Sequence, residues 1–186
     1  MKKVFAAVLI AVMIFSLCGC LGSGAAAPKV QKVTDPEEPD KIVYTDYEDT
    51  LEGLCGYMAD LGYAYNFAEV EDEKTEKKHA ATGDESEDPH PMLADMIGAE
   101  RGYKFTYTYK GDSQVLELYY YTDTNNEFYK QIKADGELTV KGDDFEKTVE
   151  ATLCDNGKYV MIFHCGKDNE EREAAMEKAF KEFHAK

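Results

Sequence analysis

Tyr103, Phe105, Tyr107 and Tyr109 alternate with Lys104, Thr106 and Thr108. That is the period-two pattern of a strand with one apolar face. Gly111-Asp112 follows and suits a two-residue type II′ turn, which takes glycine first. The turn sets Tyr107 against Leu116, Phe105 against Leu118 and Tyr103 against Tyr120 on the apolar face. Thr106/Glu117 and Lys104/Tyr119 then make the opposite, mostly polar face. A second hairpin reads 149–154, then Asn156-Gly157, then 159–165. Asn-Gly is a strong hairpin signal because a type I′ turn needs positive φ at both central positions. Its register places Leu153 opposite Val160, Ala151 opposite Ile162 and Val149 opposite His164. A short strand over 138–141, turning at Gly142-Asp143, precedes it.

Elsewhere the period lengthens to that of a helix. Thr45 and Glu48 form a capping box, after which Tyr47, Leu51, Leu54, Met58 and Leu61 recur on one side until Gly62. Met92, Leu93, Met96 and Ile97 make a short helix ending at Gly98. A third helix is predicted over 124–135, capped by Thr124 and Glu127, stopped by Gly136 and burying Phe128 and Ile132. The last starts near Asp168 with Glu171, and Arg172, Ala175, Met176, Ala179, Phe180 and Phe183 line one side. The order α-α-ββ-α-βββ-α, joined by hairpins and short connections, predicts an α+β domain. Its antiparallel sheet would have about five strands, with helices packed on one face.

Two stretches carry neither period. Residues 20–44 contain Pro28, Pro36 and Pro39 with few apolar anchors and read as a tether. About 24 such residues would reach on the order of 25–30 Å. The second stretch, 69–91, holds nine acids and three lysines with Val70 as its only large aliphatic. It reads as an exposed acidic insert in a domain spanning 45–186. His79 and His90 within it could collect a cation loosely, but no spacing there fixes a metal geometry.

Met1-Lys2-Lys3 opens the chain, followed by an uncharged run over 4–17. Fourteen residues are too few to cross roughly 30 Å of hydrocarbon comfortably, and small residues follow, as in a secretory signal peptide. Leu17-Cys18-Gly19-Cys20 resembles the lipobox of bacterial lipoproteins. The resemblance implies cleavage after Gly19, with Leu17 and Gly19 flanking the cut, and diacylglycerol on Cys20. Cys18 would leave with the signal peptide of residues 1–19. The implied location is the outer leaflet of the cell membrane, facing away from the cytoplasm. At least two acyl chains give stable anchoring where one gives only marginal binding. Losing Lys2 and Lys3 takes the formal charge from −16 to −18. So acidic a surface repels nucleic acid and anionic headgroups, which leaves the lipid to hold the membrane.

Cys55, Cys154 and Cys165 remain, an odd number that rules out a complete intramolecular disulfide framework. Cys154 and Cys165 fall at opposite ends of the second hairpin, several residues at about 3.3 Å each apart, beyond disulfide reach. A bridge from Cys55 to either stays open. Phosphate-cradling glycine loops, His-Glu-x-x-His, Cys-x-x-Cys and EF-hand spacing are missing. His164-Cys165 pairs a base with a nucleophile, but strand neighbours point to opposite faces. No cofactor is expected. With Leu153, Val160 and Ile162 in the core, Tyr159, Met161 and Phe163 would stand on the outer sheet face. Tyr119 and Tyr121 would occupy the outer face of the first hairpin, and such tyrosine-rich faces suit recognition. The general organisation resembles small uncharacterised lipoproteins of Gram-positive bacteria. The expected function is a non-catalytic, lipid-anchored binding module whose partner is an envelope protein or peptide. A small-ligand or cation-binding lipoprotein is the alternative, and an enzyme of unknown type the third reading.

Overall fold

The computed structural model describes residues 31–66, 93–141, 146–165 and 169–185. The strands are β1 (Gln31–Val33), β2 (Arg101–Tyr109), β3 (Asp112–Tyr120), β4 (Glu137–Lys141), β5 (Glu146–Glu150), β6 (Thr152–Leu153) and β7 (Tyr159–Cys165). The helices are α1 (Leu51–Asp60), α2 (Leu93–Ile97), α3 (Glu127–Asp135) and α4 (Glu170–Glu182). Five strands make the main sheet in the order β1-β2-β3-β7-β6, while β4 and β5 form a separate two-stranded sheet. All pairings are antiparallel except β1 with β2. The α+β class and the five-stranded, mostly antiparallel sheet are as the sequence predicts.

The first hairpin forms, with its turn one residue earlier than expected. Lys110 (φ 48°) and Gly111 (φ 88°) are the central residues, both in the left-handed region. Tyr109 therefore faces Asp112, and Phe105 faces Leu116 instead of Leu118. A non-glycine residue at positive φ is uncommon, and Lys110 has local partners there. Its Nζ lies 3.0 Å from Asp35 Oδ2 and 4.8 Å from the centre of the Tyr109 ring. The change moves each partner by two residues, so every side chain keeps its face.

The second hairpin keeps Leu153 opposite Val160. The run 149–154 is nevertheless not one strand. It breaks at Ala151, whose N–H donates to Gly136 O at 2.9 Å. Val149 consequently pairs with Leu138, and His164 pairs with Val115 on β3. β4 offers Leu138 and Val140 as an apolar side that 149–150 can match, which the far end of β7 does not.

Both faces of the main sheet are covered. On one, α1 and α4 contribute Leu54, Met58, Met176 and Phe180, packed with Phe105, Leu116, Leu118 and Met161. On the other, α2, α3 and the β4–β5 sheet contribute Ile97, Ile132, Leu138 and Val140 against Tyr119, Val160 and Ile162. Each fully buried large apolar side chain contributes about 1.5–3 kcal/mol, so the two layers together hold the sheet from both sides.

Helix starts differ from expectation by a few residues. α1 is capped by Thr50, whose hydroxyl accepts from Gly53 N at 3.0 Å. Thr45 instead lies in a 3₁₀ turn, Tyr44–Asp46. Tyr47 precedes the helix and packs back on it, its hydroxyl donating to Asp60 Oδ2. α3 is capped by Asn126 and α4 by Asn169. Met96 in α2 is 43% exposed rather than inward-facing.

The expected tether of 20–44 is shorter than its composition suggested. β1 pairs in parallel with the end of β2, and Val33 is buried. Gly62, the predicted stop of α1, has φ +76°, and a Cβ there would sit 2.4 Å from Thr34 O. Glycine thus lets the segment after β1 lie directly on the end of α1. The insert 69–91 falls outside the described residues.

Candidate functional site

The five residues expected to form an interaction face are not a surface. Tyr119 and Tyr121 are each 2% exposed, Tyr159 is fully buried, Met161 is buried and Phe163 is half-buried. The first two lie among the α2, α3 and β4–β5 side chains, and the others in the layer shared with α1 and α4. These tyrosine hydroxyls are all engaged inside the fold, Tyr119 within its own strand and Tyr121 and Tyr159 across to neighbouring segments. Tyr119 donates to Glu117 Oε2 (2.6 Å), Tyr121 to Ile97 O (3.1 Å) and Tyr159 to Asp49 Oδ1 (3.0 Å). Sequence reasoning treated one sheet face as open. β3 and β7 carried the contrary signal, since VLELYY and YVMIFHC are nearly continuous apolar runs, as in strands buried on both sides.

His164 and Cys165 diverge as strand neighbours must. Burial depresses the pKa of His164; Glu117 opposes that effect, while Lys147 and Lys104 reinforce it. Cys165 pairs across the strands with Gln114, and its Sγ donates to Glu173 Oε1 at 2.6 Å. Cys55, Cys154 and Cys165 are all free thiols. Burial raises the pKa of Cys55 and pushes Cys154 up to about 11, so neither is a ready nucleophile. Cys20, Leu17, Gly19, His79 and His90 lie outside the described residues.

Two charged networks inside the fold escaped sequence reasoning. Glu117 is 5% exposed and accepts from Tyr119 while pairing with Lys104 Nζ at 2.9 Å. Arg172 is 8% exposed and lies between the rings of Tyr109 (3.6 Å) and Tyr63 (4.9 Å). It donates to Gly62 O, to Gln114 Oε1 (3.4 Å) and to Asp35 Oδ1 (3.4 Å). Its contacts thus join α4, β3, the end of α1 and the segment after β1. The helical stripe places Arg172 inward, but its side-chain partners come from residues 58 to 137 positions away. No local period encodes that.

A cleft of about 330 Å³ lies beside β6, smaller than a second depression of about 580 Å³ between α3 and the small sheet. Ile132, Asp135 and Gly136 of the α3 end line one wall, Glu177 and Lys181 of α4 the other. Glu137, Glu150 and Ala151 close one end, and Thr152 and Leu153 form the floor. Cys154 N–H donates to Tyr159 O at 2.9 Å. In an antiparallel ladder that alternation turns the N–H and C=O of the preceding residue, Leu153, away from β7 and toward the cleft. Among the described residues no strand pairs with that side of β6. The second depression is lined by Phe128, Gln131, Thr139 and Lys141.

Among the described residues, no group of three or more His, Cys, Asp or Glu side chains is placed to hold a metal ion, and no helix is long and apolar enough to cross a membrane. No family model, no curated protein and no solved structure matches the chain.

Proposed function

We propose that the protein is a non-catalytic, lipid-anchored module held on the outer face of the cell membrane, where it binds an envelope protein or peptide. The anchoring half of this reading rests on the lipobox-like LCGC and the uncharged run before it. The binding half rests on one observation. Both sheet faces are filled by packed layers, while among the described residues no strand pairs with the outer side of β6. A cleft there leaves the Leu153 peptide groups between the Ala151–Gly136 and Asp155–Lys181 hydrogen bonds. The recognition surface in this reading is therefore an edge, not a tyrosine-rich face. Adding a strand to an exposed sheet edge is a common way to bind peptides.

The position of β1 supports a close hold. Only residues 21–30 separate Cys20 from Gln31. Eleven residue steps cannot exceed about 40 Å even fully extended, so the body works near the bilayer surface. Membrane fractionation and mass spectrometry of the mature N-terminus test the reading. The expected result is a diacylglyceryl Cys20 in the membrane fraction and release of the Cys20→Ala variant. An unmodified N-terminus, or a Cys20→Ala variant that stays membrane-bound, would sink the anchor.

A further inference from the structure

The rungs of the β4–β5 sheet obey ordinary charge rules until they reach the cleft. Lys141 pairs with Glu146, the Nζ 3.0 Å from Oε1. Thr139 and Thr148 share a hydrogen bond of 2.8 Å. The last rung sets Glu137 directly opposite Glu150. Like charges at paired positions destabilise a ladder. Beside them, Asp135 is the final residue of α3, where the helix dipole favours cations. Glu177 across the cleft has its own partner, Lys181, at 2.6 Å. Asp135, Glu137 and Glu150 form no ion pair among the described residues, and all three are exposed. Three carboxylates are thus gathered, against local preference, around the outward-facing Leu153 peptide groups.

We infer that this cleft takes an extended basic peptide segment, which hydrogen-bonds to the outer edge of β6 and places lysine or arginine side chains between Asp135, Glu137 and Glu150. The inference rests on reading the domain as an interaction module, and it names the chemistry of the partner. Backbone pairing at Leu153 gives register, because alternate side chains of an added strand point the same way. The rim charge gives selection, since a cation relieves the Glu137–Glu150 repulsion while an acidic segment would worsen it. Among the described residues the one cation lining the cleft, Lys181, is paired with Glu177 and leaves the Glu137–Glu150 conflict in place. Conflicts of this kind concentrate where a protein works.

The test uses the full chain in detergent micelles and a fluorescein-labelled pentapeptide alternating lysine and valine. Fluorescence anisotropy is expected to show saturable binding. The Glu137→Gln/Glu150→Gln variant should weaken it roughly tenfold, while Glu170→Gln/Glu171→Gln, which removes equal charge elsewhere, should not. The double variant at the cleft should also melt higher than the parent, since the like-charge rung is gone. A peptide of the same charge but N-methylated at alternate amides should fail to bind. Equal loss in both double variants, equal binding of the N-methylated peptide, an unchanged melting temperature at the cleft variant or no saturable binding would each overturn the inference. The anchor has a separate readout. A chain that binds the peptide but lacks lipid on Cys20 keeps the cleft and loses the membrane assignment, and the reverse result does the opposite.

Discussion

Arg172 brings a positive charge into the domain, and among the described residues a half-exposed carboxylate, Asp35, is the one acid paired with it. The rest of its stabilisation comes from two aromatic faces and two neutral oxygens. A flat guanidinium can stack and donate sideways at once, which an ammonium cannot. Arg172→Ala should therefore cost about 2–4 kcal/mol in urea unfolding, from lost stacking and from stranded acceptors at Gly62 and Gln114. Arg172→Lys should recover less than half of that; full recovery would mean the charge alone matters. Tyr107 is the opposite case. Its hydroxyl is wholly buried, and although the Arg172 guanidinium lies close enough to act on it, no donor or acceptor among the described residues meets it in good hydrogen-bond geometry. Burial pushes its pKa up to about 12, with Arg172 pulling the other way. Tyr107→Phe removes a desolvated polar atom and keeps the ring, so stability should rise by about 0.5–1 kcal/mol. A loss on that substitution would show that the hydroxyl is satisfied after all. Neither residue's role could be seen from spacing, because each is defined by contacts between distant segments.

Where the small sheet lies on the large one, the interface is apolar at Leu138, Val140, Val160 and Ile162 and charged at its margin. There His164 of β7 is surrounded by Glu117 of β3, Lys104 of β2 and Lys147 of β5. The depressed folded-state pKa means that the unfolded chain binds a proton more readily than the native one below about pH 6.5. The stability that neutral His164 contributes is present above that value and declines as pH falls through it. Hydrogen-exchange protection factors in β4 and β5, corrected for the intrinsic pH dependence of exchange, should fall on acidification from pH 7.5 to 5.5, and His164→Gln should flatten the response. An equally steep response in the variant would assign it to other groups. Elements of this kind were legible where chemistry is local. Asn156-Gly157 marks the turn and the β6–β7 register holds, but only Gly157 takes positive φ, so the expected type I′ turn does not form. Gly62, Gly98 and Gly136 stop their helices as expected. Illegible were the features supplied by another part of the chain. Lys110 could take a left-handed turn position because Asp35 lies beside it. Gln31–Val33 has too few residues to show a period and is a strand only because β2 offers an edge. The cleft at β6 is likewise assembled from five elements, none of which announces it alone.

For the molecule as a whole, a formal charge of −16 over 186 residues works against compactness. Salt screens repulsion between exposed charges within a Debye length of about 8–10 Å near physiological ionic strength. Raising sodium chloride from 20 to 300 mM should accordingly lift the melting temperature by about 2–4 °C. A fall would mean that the surface ion pairs, such as Lys141–Glu146 and Lys181–Glu177, outweigh the net repulsion. The same acidity keeps the body off anionic headgroups, so the lipid and the short run before Gln31 would set its distance from the bilayer. In the lipid-anchored form proposed above, a pull on Cys20 would enter the body at β1. Three residue pairs to β2 take the first share. Just behind them Asp35 is gripped by the Tyr109 hydroxyl at 2.8 Å, Lys110 at 3.0 Å and Arg172 at 3.4 Å. Under the proposed anchoring, these contacts would act as a strain relief on a cable: force on the cord would be taken up at the clamp before it reached the packing around α1 and the β6 cleft.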